Sequence, residues 1–210
     1  MLARLKSIFQ KTPNSEFHRL LCAVRDQYLE AYRRALVTYK QQFKPGGPEV
    51  TLRLNIPNTP AHFCHRRMDL ASGAVSPPNL TEVVVENPLQ FEPKGFQLPS
   101  GVSVTMHPFA WSGIDIITRP FPSDSPELAK WCLKWLDLDD KRPRDKHGFS
   151  GVTHCVTPPE QRSERWVFSV DFGSAPIVAF DELLTVLQQL GIESVTAGSF
   201  QLPKTARETR

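Results

Sequence analysis

The chain has 210 residues, 40% of them hydrophobic and 22% charged, with a net charge of +3, the composition of an ordinary globular protein rather than a disordered one. Its apolar runs are far shorter than the roughly 20 residues that span a bilayer, which excludes a transmembrane helix. Four cysteines, Cys22, Cys64, Cys132 and Cys155, lie too far apart to form the close pairs of a zinc site, and they fit a reducing cytoplasm.

Charge is unevenly placed. Residues 1 to 70 carry 12 Lys plus Arg against 5 acids, whereas the remainder carries 13 against 17. The two parts can attract each other, and a second reading is that the basic part contacts nucleic acid or a membrane surface. Within residues 1–14, Leu2, Leu5, Ile8 and Phe9 alternate with Arg4, Lys6 and Lys11 as a short amphipathic basic segment.

Ser15 then caps a long helix over 15–43, in which Phe17, Leu20, Leu21, Val24, Tyr28, Ala31, Tyr32, Ala35, Tyr39 and Phe43 recur at three- and four-residue spacing. After Pro45-Gly46-Gly47-Pro48, the alternation of Val50, Leu52, Leu54 and Ile56 predicts a half-buried strand. Residues 57 to 79 show no sustained period and read as a loop. It holds His62, Cys64 and His65, whose spacing matches no zinc pattern, so no metal is assigned, and Arg66 and Arg67, which can meet an acidic partner. Val83-Val84-Val85 predicts a compact strand, and 91–100 a connection.

Residues 102–106 and 114–119 predict two strands of a hairpin. Asp124 then caps a helix with Leu128, Trp131, Cys132, Trp135 and Leu136 on its apolar side. Residues 137 to 148 form a charged loop with Asp137, Asp139, Asp140, Arg142 and Arg144, a polar edge suited to a partner of complementary charge. A strand over 151–157 and a loop to 164 follow. Every local signal then agrees on strand, turn, helix and strand from Trp166 to Gly198: Trp166, Phe168, Val170 and Phe172 share one side, and Ser174 caps a helix with Pro176 in its first turn. Gly191 stops that helix, and 192–197 returns as a strand. Strand, strand, helix thus occurs twice, over 102–137 and 151–190, and 203–210 reads as a mobile tail.

Two chemical readings compete. His154, Asp171 and Ser174 lie close enough in this scheme to assemble a hydrolase or a ligand-binding site. However, Ser174 lacks the glycine-flanked nucleophile elbow and His154 falls on an apolar strand face. No Walker or dinucleotide fingerprint is present, and no cofactor is expected. The run Ser169-Val170-Asp171-Phe172-Gly173-Ser174-Ala175-Pro176 and the helix after it resemble bacterial toxin-immunity-type proteins. The resemblance covers residues 166–198 and carries no site residues over. It implies a cytoplasmic, non-enzymatic protein that binds a toxin and blocks its active surface. The expected architecture is one α+β domain with a mixed, largely antiparallel sheet, the long N-terminal helix and two strand-strand-helix units. Partner contacts are expected from Arg66, Arg67, Asp137, Asp139, Asp140, Arg142 and Arg144.

Overall fold

A computed structural model describes residues 15–42, 46–72, 79–119 and 125–200. The amphipathic N-terminal segment, Phe43, Asp124 and the 203–210 tail lie outside them. Helix α1 (Glu16–Gln42) begins where Ser15 Oγ accepts the His18 amide, and its stripe of Phe17, Leu21, Val24, Tyr28, Tyr32 and Tyr39 is buried. It lies against β1 (Gly46–Arg53) and β2 (His65–Ser72), which pair antiparallel.

The remaining strands are β3 (Asn79–Thr81), β4 (Lys94–Gln97), β5 (Ser103–Met106), β6 (Ile114–Thr118), β7 (Cys155–Val156), β8 (Glu160–Arg162), β9 (Arg165–Asp171) and β10 (Ser194–Gly198). They join one sheet in the order β1-β2-β7-β9-β6-β10-β5-β4, with β3 on β2 and β8 on β9. Only β5 and β10 pair in parallel among the described strands, so the fold is α+β with a mixed, mostly antiparallel sheet.

Helices α2 (Pro126–Leu136) and α3 (Val178–Gln189) pack on each other, and Trp131 Nε1 donates to the Ala179 carbonyl at 3.0 Å. The β9-α3-β10 path is a crossover between strands that run parallel on either side of β6. Phe172 stacks near Trp111 and Phe180 at the centre of the core, and Phe180 meets Phe17 of α1.

The structure corrects several expectations. β5 and β6 form no hairpin, because β10 inserts between them, and the two strand-strand-helix stretches therefore differ in pairing. The stretch expected as a loop over 57–79 contains β2, and short strands β4 and β8 fall inside two other expected connections. Val83 to Val85 form no ladder; the Val83 amide goes to the Asp69 carboxylate instead of a neighbouring strand. Ser125 caps α2 by accepting the Leu128 amide at 3.1 Å, whereas Ser174 does not cap α3.

The sheet narrows sharply at β7. Arg66 pairs with Cys155, and Cys155 with Asp171. The backbone of His154 bridges the same two strands: Arg67 N–H donates to the His154 carbonyl at 2.7 Å, and His154 N–H to that of Asp171 at 2.8 Å. This junction sets the positions of the polar side chains described next.

Candidate functional site

The His154 imidazole is fully buried among three carboxylates from three strands. Nε2 lies 3.3 Å from Glu49 Oε1, and Nδ1 lies 2.9 Å from Asp69 Oδ1 and 4.0 Å from Asp171 Oδ2. The Nδ1 contact has the distance of an ion pair without the alignment of a hydrogen bond. Burial alone would push the imidazole toward the neutral form. The charge of Asp171, the close contact and charge of Asp69 and the hydrogen bond of Glu49 outweigh it, raising the group to about 10, so His154 is a cation at neutral pH.

Glu49 arrives through an unusual backbone. Pairs Pro48↔Leu70 and Val50↔Met68 place it opposite Asp69, yet its φ of 56° takes it out of the ladder. A left-handed non-glycine residue costs about 1–2 kcal/mol, and here its side chain accepts three polar groups. Ser150 N–H donates to Oε2 at 2.6 Å, while Oε1 receives the Ser174 hydroxyl and faces His154. Burial raises the Glu49 and Asp69 carboxyls, but His154 and the surrounding donors overcome it and hold both below the usual range. Asp69 accepts Tyr28 Oη–H at 2.6 Å and Val83 N–H at 2.6 Å, and Tyr32 Oη–H donates to its backbone carbonyl.

Ser174 links two loops. Its Oγ accepts from Gly151 N–H at 2.9 Å and Val152 N–H at 3.2 Å while its proton goes to Glu49. Between Asp171 and Ser174 sits Gly173 at φ 47°; a Cβ there would lie 2.1 Å from His154 Cδ2. Only glycine lets this turn pass over the imidazole.

The proposed Ser174-His154-Asp171 hydrolase arrangement is therefore not formed. The hydroxyl is bonded to Glu49 rather than to His154, and Asp171 is beyond hydrogen-bond reach of the ring. An imidazole already protonated and sealed from solvent cannot take a proton from a substrate. Among the described residues no group of His, Cys, Asp and Glu is arranged to hold a metal ion. Cys64 is buried near the carbonyls of Ile56 and Thr59, and His65 Nδ1 faces the Ala61 carbonyl.

Most of the residues expected at a partner surface are committed internally. Arg67 is buried and donates to the carbonyls of Leu136, Asp137 and Glu49 and to Asp140 Oδ1, placing its charge at the C-terminus of α2, where the helix dipole favours a cation. Asp137, left-handed at φ 47°, accepts the amides of Lys141 and Arg142. Arg142 bonds the carbonyls of Gly151 and Lys134 and covers the Trp135 ring; Arg144 bonds those of Pro48 and Gly148. This loop is a clasp joining α2 to β1 and the 148–151 turn. Arg66 pairs with Glu82, and Asp139 with Lys141, at exposed positions.

Two depressions flank residues 82–87. One, of about 430 Å³, lies between this strip and Gln27, Ala31, Arg34 and Ala35 of α1. The other, of about 220 Å³, separates Val83–Val85 from Ala110 and Ser112, with Asp69 and Asp171 among its lining. Val84, on the strip between them, is 77% exposed, and Tyr39 Oη–H of α1 donates to the Asn79 carbonyl of β3.

Glu49, Asp69, Tyr28 and Tyr32 were not predicted as members of this cluster. The one available signal was the tyrosine stripe of α1, whose buried hydroxyls need acceptors. No family model, no curated protein and no solved structure matches this chain.

Proposed function

We propose that this chain is a non-enzymatic protein-binding module, and that its partner is a bacterial toxin which it blocks as a cytoplasmic immunity protein. The observation that carries the reading is the seam between α1 and residues 79–87, where Val84 stands 77% exposed between two depressions. The exposed Val84, with Arg34, Glu82 and Glu86 along the same depression and Arg66 paired to Glu82, gives an apolar point within a charged surround, as at a protein interface. His154 and Ser174, which would otherwise invite a catalytic reading, are engaged with Glu49 inside the fold.

The test is affinity capture from the source cells with the wild-type chain and with Val84→Glu, both checked for folding. The expected result is a stoichiometric protein retained by wild type and lost by Val84→Glu. Capture of no stoichiometric protein, or equal capture by both, contradicts the reading. The captured partner is then expressed alone: arrested growth relieved by this chain supports immunity, and a harmless partner removes immunity while leaving protein binding.

A further inference from the structure

Asp171 is the least satisfied acid of the buried cluster. Its Oδ1 accepts the Gly173 amide at 2.9 Å, but Oδ2 has only the 4.0 Å approach to His154 Nδ1. The side chain is 20% exposed and lines the 220 Å³ cleft. His154 Nδ1, fully buried, likewise lacks an aligned hydrogen bond and faces the two carboxylates of the cleft lining. Arg66 and Arg67, which also line the cleft, are paired with Glu82 and Asp140, and in the buried cluster His154 is one cation against the three carboxylates of Glu49, Asp69 and Asp171. The cluster is therefore short of positive charge, and Asp171 is its partly exposed member, in a cleft that Val83, Val84, Val85 and Pro88 also line.

We propose that this cleft receives a lysine or arginine side chain of the partner protein, its aliphatic stem along Val83–Val85 and its charged head on Asp171. An apolar wall leading to a carboxylate suits such side chains, which bury their stems while pairing their heads. Burial pushes the Asp171 carboxyl up to about 7, with His154 opposing and Asp69 and Glu82 adding to the rise. An arriving cation favours the carboxylate, so binding displaces the proton wherever Asp171 carries one. The inference rests on the protein-binding reading and names the chemistry of its partner at this seam.

The probe is n-butylguanidinium, with n-butylammonium as a second cation and neutral n-butylurea as control, added to the full chain and followed by carboxyl NMR of Asp171. Binding by a cation is expected with a dissociation constant on the order of 1 mM. It should lower the Asp171 titration midpoint by about one pH unit or more at saturation. Asp171→Asn keeps the acceptor for Gly173 and is expected to abolish binding; Ser112→Phe, which fills the cleft from the far wall, is expected to do the same without touching the acid. Equal binding of n-butylurea, an unmoved Asp171 midpoint, or retained binding in both variants overturns the proposal. Failure of these probes alongside successful Val84-dependent capture removes the cation pocket alone, whereas cation binding without a captured partner removes the protein-binding reading.

Discussion

Replacing His154 with Gln keeps a polar side chain of similar reach but deletes the positive charge from a site where carboxylates approach to 2.9, 3.3 and 4.0 Å. Breaking a buried ion pair by removing one partner typically costs about 3–5 kcal/mol, because the remaining charge is left in a poorly polarisable interior. We expect His154→Gln to lose about 3–5 kcal/mol near pH 6, read as a drop of roughly 1–2 M in the urea midpoint. The pH dependence follows from the direction of each shift. His154 is raised to about 10, so its stabilisation is complete below its ordinary value of 6.5 and is lost as pH rises toward 10. Glu49 and Asp69 are held low, so theirs is present above about pH 4.5 and is lost on acidification. Asp171 is raised to about 7, and forcing it to ionise erodes stability between 3.8 and 7. Wild-type stability should therefore be greatest near about pH 5 and fall steadily above it. The deficit of His154→Gln should narrow toward pH 10, where wild type loses its own cation, and below pH 4, where the acids protonate. A deficit under about 1 kcal/mol at pH 6, or one equally large at pH 6 and pH 10, refutes the reasoning.

Gly173→Ala should be as damaging as a core truncation, about 3 kcal/mol or a melting temperature lower by roughly 6–12 °C, because its Cβ meets an imidazole that the carboxylates prevent from moving. Ser174→Ala should cost about 2–3 kcal/mol in urea unfolding by orphaning the Gly151 and Val152 amides, yet leave partner capture intact once the variant is folded. Arg67→Ala should cost about 3–5 kcal/mol, while Arg66→Ala, at an exposed pair, should change unfolding by less than about 1 kcal/mol; equal effects contradict the different burial of these neighbours.

The elements legible in the sequence were those whose signals are local. The 3.6-residue stripe of α1 and the alternation, turn and glycine stop of β9-α3-β10 each need only neighbours in the chain. β2 was missed because Arg67 and Asp69 are buried among Leu70 and Ala71, so its inward side reads as charged. The same Asp69 explains the misread strand at 83–85: a side chain, invisible to periodicity, takes the amide that a ladder would use. The 102–119 hairpin failed because β10, some 80 residues later, competes for both edges. At the site, His154, Asp171 and Ser174 were found by proximity, but their relation was not, since Glu49 carries it through a left-handed backbone that nothing before or after it in sequence demands.

The most direct measurement is an NMR pH titration of the His154 imidazole in the folded chain. The structure predicts that it stays protonated through neutrality and releases its proton only as pH approaches about 10. An imidazole that titrates near its ordinary 6.5 would show solvent access and a neutral base at physiological pH, and would contradict the assignment of His154 as a buried structural cation.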